Sequence, residues 1–250
     1  MQPKLSIITV TYNAERFLEP TIQSIAAQTY PNIEYVIVDG GSKDGTIDII
    51  KKYPNVVTQW VSERDNGLYD AMNKGLQMAT GDYVMVLNAG DLLDAPVTLE
   101  TTFSHCDGED VLYGDTKIID TDYQFVGMRH FTPPEHLTWK SFQQGMVVCH
   151  QSVISKKEIT PLYNLEYKIA ADIDWAIRLL KNSKTAKNVH TVITQFMQDG
   201  VSTQHRWAGV RERFRVMINY YGLFTTLFNN ISRGINYFLT LRFLKNVRKD

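Results

Sequence analysis

The chain has 250 residues, of which 44% are hydrophobic and 21% charged. These are the proportions of a folded globular protein, and they exclude a disordered chain, a collagen-like repeat and a disulfide-stapled miniprotein. With 26 basic against 27 acidic residues, there is no global positive field to recommend nucleic acid as a partner. Charge is unevenly spread, since residues 206–250 carry nine Lys or Arg and two acids, leaving a net −8 for residues 1–205. Cys106 and Cys149 lack metal-ligand or redox spacing and read as reduced, buried thiols of a cytosolic protein.

A strand-like run begins at Leu5, with no signal-peptide pattern before it. Four short β-branched runs, Leu5 to Val10, Ile33 to Val38, Val56 to Val61 and Tyr83 to Leu87, read as strands buried on both faces. Between them, Glu15 to Ala27, Thr46 to Lys52 and Leu68 to Met78 carry apolar residues at helical spacing. Strand alternating with helix predicts an α/β fold with a mainly parallel sheet flanked by helices. Beyond Asp91 the spacing predicts a short helix over 97–103, strands over 110–120 and 123–131 around a Thr121-Asp122 turn, a helix over 171–181 and a strand over 189–197. From Trp207 onward apolar residues step by three and four, interrupted by Gly209, Gly222 and Gly234, which predicts two or three basic amphipathic helices. Such a segment either packs on the domain or contacts a membrane peripherally. No run reaches the ~20 predominantly apolar residues of a spanning helix.

In parallel sheets ligands bind beyond the carboxyl ends of the strands, so the residues after each strand carry the chemistry. The first strand leads into Thr9-Val10-Thr11-Tyr12-Asn13, and the second into Asp39-Gly40-Gly41-Ser42-Lys43-Asp44-Gly45-Thr46. A strand-end carboxylate, two glycines and a helix-capping Ser or Asp make a polar pocket, with Asp44 reading chiefly as a cap. The segment is neither a dinucleotide fingerprint nor a Walker A loop. After the third strand, Ser62 to Gly67 precede a helix whose Asp70, Asn73 and Lys74 are expected to share one face. The fourth ends in Asn88-Ala89-Gly90-Asp91, where a carboxylate is suited to a divalent cation bridging a diphosphate.

Asp39-Gly40-Gly41-Ser42-x-Asp44-Gly45-Thr46, Asp65-x-Gly67, Asn73-Lys74-Gly75, Gly81-Asp82 and Asn88-Ala89-Gly90-Asp91 together resemble the family 2 glycosyltransferases of the GT-A fold, of the bacterial surface-polysaccharide type. The resemblance is close over residues 4–95 and fainter to about residue 203. It implies a GT-A domain over 1–205, with a nucleotide-binding half at 1–95 and an acceptor-side half at 96–205, followed by a basic helical segment at 206–250. By the same resemblance Thr9, Tyr12, Asp39, Gly41, Arg64, Asp65, Lys74 and Asn88 contact the nucleotide-sugar, and Asp91 holds Mn²⁺ or Mg²⁺. Asn88 and Gly90 stand where the family usually has acids.

Ala171-Asp172-Ile173-Asp174-Trp175 is similar to the segment supplying the catalytic base of inverting members. Asp172 is the expected base and Asp174 its competitor, while Trp175 reads as core and His150 as a structural histidine. Gly200-Val201-Ser202 resembles the family's Gly-x-Ser segment, whereas Gln204-His205-Arg206-Trp207 is one residue short of the processive-synthase motif. The function implied is metal-assisted, inverting transfer from a nucleotide diphospho-sugar, UDP-linked in the common case, to a saccharide or lipid-linked saccharide acceptor. The expected location is the cytoplasm, at the inner face of the membrane. Two rivals are a non-catalytic nucleotide-sugar binder and a sugar-1-phosphate nucleotidyltransferase, the latter disfavoured because Thr9 to Arg16 contains no glycine.

Overall fold

The computed structural model describes residues 2–198 and 206–229. One mixed sheet organises them. Four parallel strands, β1 (Leu5–Thr11), β2 (Ile33–Asp39), β3 (Gln59–Ser62) and β4 (Tyr83–Val86), lie in the order β3-β2-β1-β4. They are connected through the helices α1 (Leu18–Ala26), α2 (Thr46–Lys52) and α3 (Leu68–Met78).

The second half departs from the parallel expectation. β6 (Val111–Ile119) and β8 (Val153–Lys156) join the order β4-β8-β6, and β8 runs antiparallel to both neighbours. β9 (Ala186–Met197) is parallel to β6, while β5 (Leu92–Leu93) pairs antiparallel with β9 and β7 (Phe125–Met128) antiparallel with β6. The sheet is therefore mixed rather than mainly parallel. β5 and β8 escaped the sequence reading because strands of two and four residues are too short for periodicity to register. The third strand begins at Gln59, not Val56, and is a half-exposed edge.

Hydrophobic cores cover both faces, which is why the central strands read as continuous apolar runs. Ile8, Val10, Val36 and Val38 pack with Tyr69, Met72 and Leu76 of α3 and with Ile173 and Ile177 of α5 (Ala171–Asn182). Leu5, Ile7, Tyr35 and Ile37 pack on the other face with Leu18, Ile22 and Ile25 of α1, Ile49 of α2 and Leu99 and Phe103 of α4 (Thr98–Ser104). Gly75 of α3 lies so close to Ile8 that a Cβ there would collide with its side chain. Both cysteines are free thiols, Cys149 buried and Cys106 half-buried.

The C-terminal stripe begins as α6 (Arg206–Tyr221), which packs on the body. Val216 and Met217 are buried, Tyr220 Oη donates to Asp174 Oδ1 at 2.8 Å, and Tyr221 Oη donates to the Trp139 carbonyl. Gly222, at φ +81°, ends this helix, and a further helical stretch covers 223–229. Of the described part, then, residues 206–221 take the packing alternative. Among the described residues no helix is long and apolar enough to cross a membrane. Gly200 to His205 and the basic residues from Arg233 onward lie outside the described residues.

Candidate active site

The carboxyl ends of the four parallel strands are level. Gly40 N donates to the Thr11 carbonyl, Glu63 N to the Asp39 carbonyl, and Ala89 N to the Val10 carbonyl. Residues 12, 40–41, 63–65 and 88–89 thus form one edge, spanning three inter-strand steps or about 14 Å. Asn88 lies at one end of this rim and Arg64 at the other, and Asp91 follows three residues after Asn88.

The loop after β2 is built on Asp39. Its buried carboxylate accepts from Gly41 N at 3.0 Å, Ser42 N at 2.9 Å and Ser62 Oγ at 2.7 Å on Oδ2, and from Ser42 Oγ on Oδ1. Gly41 turns the chain at φ +82°, with its Cα side against the Arg64 backbone. The loop is also laced to the β1 exit: Asn13 N donates to Ser42 Oγ, Lys43 N to Asn13 Oδ1, and Glu15 N to Asp44 Oδ2. Asp44 additionally accepts from Thr46 N at 3.1 Å, the capping role expected for it. In this structure Asp39 holds the loop after β2 in place.

Tyr12, Gly40 and Asp65 converge. A Cβ on Gly40 would lie 2.6 Å from Asp65 Oδ2 and 3.4 Å from the Tyr12 ring. Tyr12 is 61% exposed, giving a free aromatic face, and Asp65 Oδ1 accepts from Gly67 N in a local turn. The exposed Arg64 side chain makes no hydrogen bond or ion pair among the described residues. An exposed ring and a carboxylate oxygen therefore meet on the rim, with Arg64 adjacent to Asp65 in the chain.

Thr9 does not join them. Its fully buried hydroxyl donates to the Leu87 carbonyl at 2.7 Å and accepts from Tyr35 Oη at 3.0 Å, inside β1 rather than past its end. The expected shared face of Asp70, Asn73 and Lys74 also divides. Asp70 accepts from Asn66 N, and Lys74 pairs with Glu63 at 2.8 Å. Asn73 is buried, bonding the Tyr163 backbone at both its N–H and its carbonyl. Lys74 still lies on the rim, tied to the Arg64 carbonyl at 3.3 Å.

Asp91 is 4% exposed. Its Oδ1 accepts from Met197 N at 2.9 Å and its Oδ2 from Gln151 Nε2 at 3.0 Å. Burial pushes this carboxyl up to about 7, against the hydrogen bonds from Met197, Gln151 and Asn88 that lower it. Its turn is bolted to α1, with Gly90 N donating to Thr21 Oγ1 and Thr21 Oγ1 donating to the Asp91 carbonyl. Nearby, Asn88 Oδ1 is buried without a partner. A buried carboxylate held only by amides, with an unsatisfied carbonyl oxygen three residues before it, offers the hard oxygen donors that Mg²⁺ or Mn²⁺ takes. These residues fit such a cation. Among the described residues no cluster of three His, Cys, Asp or Glu could hold a metal ion.

Asp172 and Asp174, two residues apart, have different fates. Asp174 is buried, ion-paired with Arg178 at 2.7 Å and bonded by Tyr220. Asp172, half-buried in the first turn of α5, accepts only from its neighbour Ile173 N at 2.9 Å. Its carboxylate acts on Tyr69, Tyr163 and His150. Tyr69 belongs to the first turn of α3, directly after the β3 exit, and donates to the Ile169 carbonyl at 2.7 Å. This contact brings the base candidate toward the nucleotide-side rim. Trp175 is buried and stacked on Tyr163 at 5.3 Å, as core. Gln151, Tyr69 and the α6 residue Glu212 were not singled out from sequence, where nothing marks contacts across 42 to 100 positions.

A depression of about 510 Å³ lined by Gly81, Asp82, Tyr83 and Lys156 to Glu158 lies at the amino end of β4, away from this chemistry.

Residues 6–178 match the family described as Glycosyl transferase family 2. The chain belongs to that family. It is a glycosyltransferase, and its fold is GT-A. It is 32% identical over 209 residues to the PGL/p-HBAD biosynthesis glycosyltransferase of Mycobacterium bovis, covering 79% of this chain and 78% of the relative. Among solved structures it is similar to residues 1–349 of S. aureus TarS in complex with UDP, at TM-score 0.66 and 21% identity over 86% of this chain and 64% of that one. It is also similar to the mannosyltransferase PcManGT of Pyrobaculum calidifontis in complex with GDP-Man and Mn²⁺, at TM-score 0.64 and 18% identity, covering 88% of this chain and 65% of that one. The chain thus spans about two thirds of the length of each of these structures.

Proposed function

We propose that this glycosyltransferase moves a sugar from a UDP-sugar to a hydroxyl of a saccharide or lipid-linked saccharide, with inversion at the anomeric carbon, in surface polysaccharide or glycolipid synthesis. One observation carries the reading. The four level strand ends put Tyr12, Arg64, Asp65 and Asn88 on one rim, and the Tyr69 contact joins that rim to the α5 turn bearing Asp172. The bound UDP of TarS and the biosynthetic role in the mycobacterial relative's name support it.

In this reading the Tyr12 ring stacks on the base, Asp65 and Arg64 contact the nucleoside, and Lys74 and Arg64 face the diphosphate. Gly40 and Gly41 let the backbone approach closely. Asp172 takes the proton of the acceptor hydroxyl as its oxygen bonds to the anomeric carbon, and the breaking bond leaves its electron pair on the diphosphate. Asp91 and Asn88 would hold a divalent cation, which supplies charge neutralisation for the leaving diphosphate when bound. Asp174 is occupied by Arg178 and Tyr220, which favours Asp172 as base.

The helical stretch 223–229 exposes Phe224 at 87% and Phe228 at 73%. We infer that it touches the inner face of a membrane, with the basic residues downstream, and brings the enzyme to its acceptor. Phe224→Ser/Phe228→Ser should then float less with anionic liposomes than wild type, and equal flotation would remove the membrane reading. A truncation at 205 is unsuitable because α6 packs on the body.

The donor reading is tested by thermal shift across UDP, GDP, UDP-sugars and GDP-mannose, with and without Mn²⁺, followed by turnover of the best-bound sugar nucleotide. UDP stabilisation enhanced by Mn²⁺ is the expected result. Stabilisation by GDP alone would change the donor class, and none by any nucleotide would overturn the reading.

A further inference from the structure

The 3₁₀ turn His150–Ser152 is linked to both carboxylates of the proposed reaction, to Asp91 by a hydrogen bond and to Asp172 electrostatically. Gln151 reaches Asp91. His150, whose Cα is about 3.8 Å away, lies where Asp172 and Arg129 both act on its ring. One is the proposed cation ligand and the other the proposed base. What lies between a diphosphate and an attacking hydroxyl is the transferred sugar.

His150 is not the satisfied structural histidine expected from sequence. Its Nε2 is buried with no hydrogen-bond partner among the described residues, while the residue as a whole keeps part of its surface. A second polar atom in the field of Asp172, Tyr163 Oη, is also buried and unpartnered. The position of Tyr163 is fixed: its backbone is clamped by Asn73 and its ring lies 5.3 Å from both Tyr69 and Trp175. Buried polar atoms are almost always paired, and these two orphans, both in the field of Asp172, have capacity left for a partner from outside the chain. Burial holds His150 below its ordinary pKa, against the raising effect of Asp172. The neutral ring has one donor and one acceptor, the complement of a hydroxyl.

We propose that His150 hydrogen-bonds through Nε2 to a hydroxyl of the transferred sugar and so determines which donor sugar is accepted. The inference rests on the donor reading above and adds a residue to it. A site built to bond a hydroxyl rejects analogues that lack or misplace it, because its own polar atom is then stranded.

Calorimetric titration of full-length wild type, His150→Ala and His150→Gln with UDP, UDP-glucose, UDP-galactose and UDP-N-acetylglucosamine tests this. For His150→Ala, the Kd for UDP should stay within about twofold, while the affinity advantage of the preferred UDP-sugar over UDP falls about tenfold or more. His150→Gln, which keeps an N–H donor, should recover part of that advantage and carries the test if His150→Ala does not fold. Normal UDP binding with an unchanged sugar preference in the variants would overturn the assignment of His150 alone. Failure of the wild type to bind any of these nucleotides would remove the donor reading and this assignment with it.

Discussion

Gln151 donates from Nε2 to Asp91 Oδ2 at 3.0 Å, across 60 positions of sequence, with both side chains buried. Cys149 Sγ donates in turn to Gln151 Oε1 at 2.7 Å, so the amide is fixed at both ends. A ligand carboxylate oriented by such a partner typically loses 10- to 100-fold in metal affinity without it. Gln151→Ala should therefore weaken Mn²⁺ binding by about tenfold, measured by electron paramagnetic resonance of free Mn²⁺, and excess Mn²⁺ should restore turnover. An unaltered Mn²⁺ affinity would contradict the positioning role.

Asp91 gives a pH signature. Burial raises its carboxyl from 3.8 to about 7, so between those values the native protein binds more protons than the unfolded chain. Its contribution to stability is therefore lost as pH rises from about 4 to about 7, and is flat above. Without metal, Asp91→Asn should melt several degrees above wild type near pH 8, each kcal/mol being about 2–4 °C for a chain of this size. That difference should shrink as pH falls toward 4. Mn²⁺ should stabilise wild type at pH 8 and leave Asp91→Asn unmoved. A melting difference constant over pH would rule out the raised carboxyl.

Asp172 and Asp174 should separate by phenotype. Asp172→Asn is expected to lose about 10²- to 10⁴-fold in turnover with the UDP Kd and melting temperature nearly unchanged. Asp174→Asn breaks the Arg178 pair and weakens the Tyr220 bond. Its cost is about 2 kcal/mol, below the 3–5 of a fully buried pair, since the Arg178 side chain is 30% exposed. Denaturant unfolding and turnover of both variants distinguish the roles, and an active Asp172→Asn would reassign the base.

Glu212 of α6 accepts the backbone N–H groups of Lys168, Ile169 and Ala170 at 3.1, 2.8 and 3.1 Å. It anchors the segment entering the Asp172 turn. Glu212→Ala strands three donors and should lower kcat with little change in UDP affinity, while hydrogen exchange at 168–170 accelerates. Unchanged exchange there would detach α6 from the site.

Gly40→Ala places a methyl against Asp65 and Tyr12. We expect UDP affinity to fall about tenfold, read by titration, with Tm lowered by only a few degrees because the rim lies outside both cores. Wild-type affinity would place the nucleotide elsewhere.

The local chemistry of the first ninety residues was legible in the order of residues. Doubly buried strands announce themselves as unbroken apolar runs, and the turns after them need Gly41 and Asp44 whatever lies opposite. The family followed from those same loops. Position across the chain decided the rest. Thr9 and Tyr12 look alike as exits from one strand, yet Thr9 lies within β1, buried against Tyr35, while Tyr12 lies past the strand's end and is exposed. Asp172 and Asp174 differ by two places; Asp174 pairs with Arg178 one turn on within α5, and the docking of α6 adds Tyr220. Gln151 and His150 acquire meaning because β8 inserts antiparallel between β4 and β6, carrying the preceding turn to Asp91 and Asp172. Periodicity and turn chemistry are local properties of a sequence, whereas a hydrogen bond between residues 91 and 151 exists only once burial of both cores has brought those segments together.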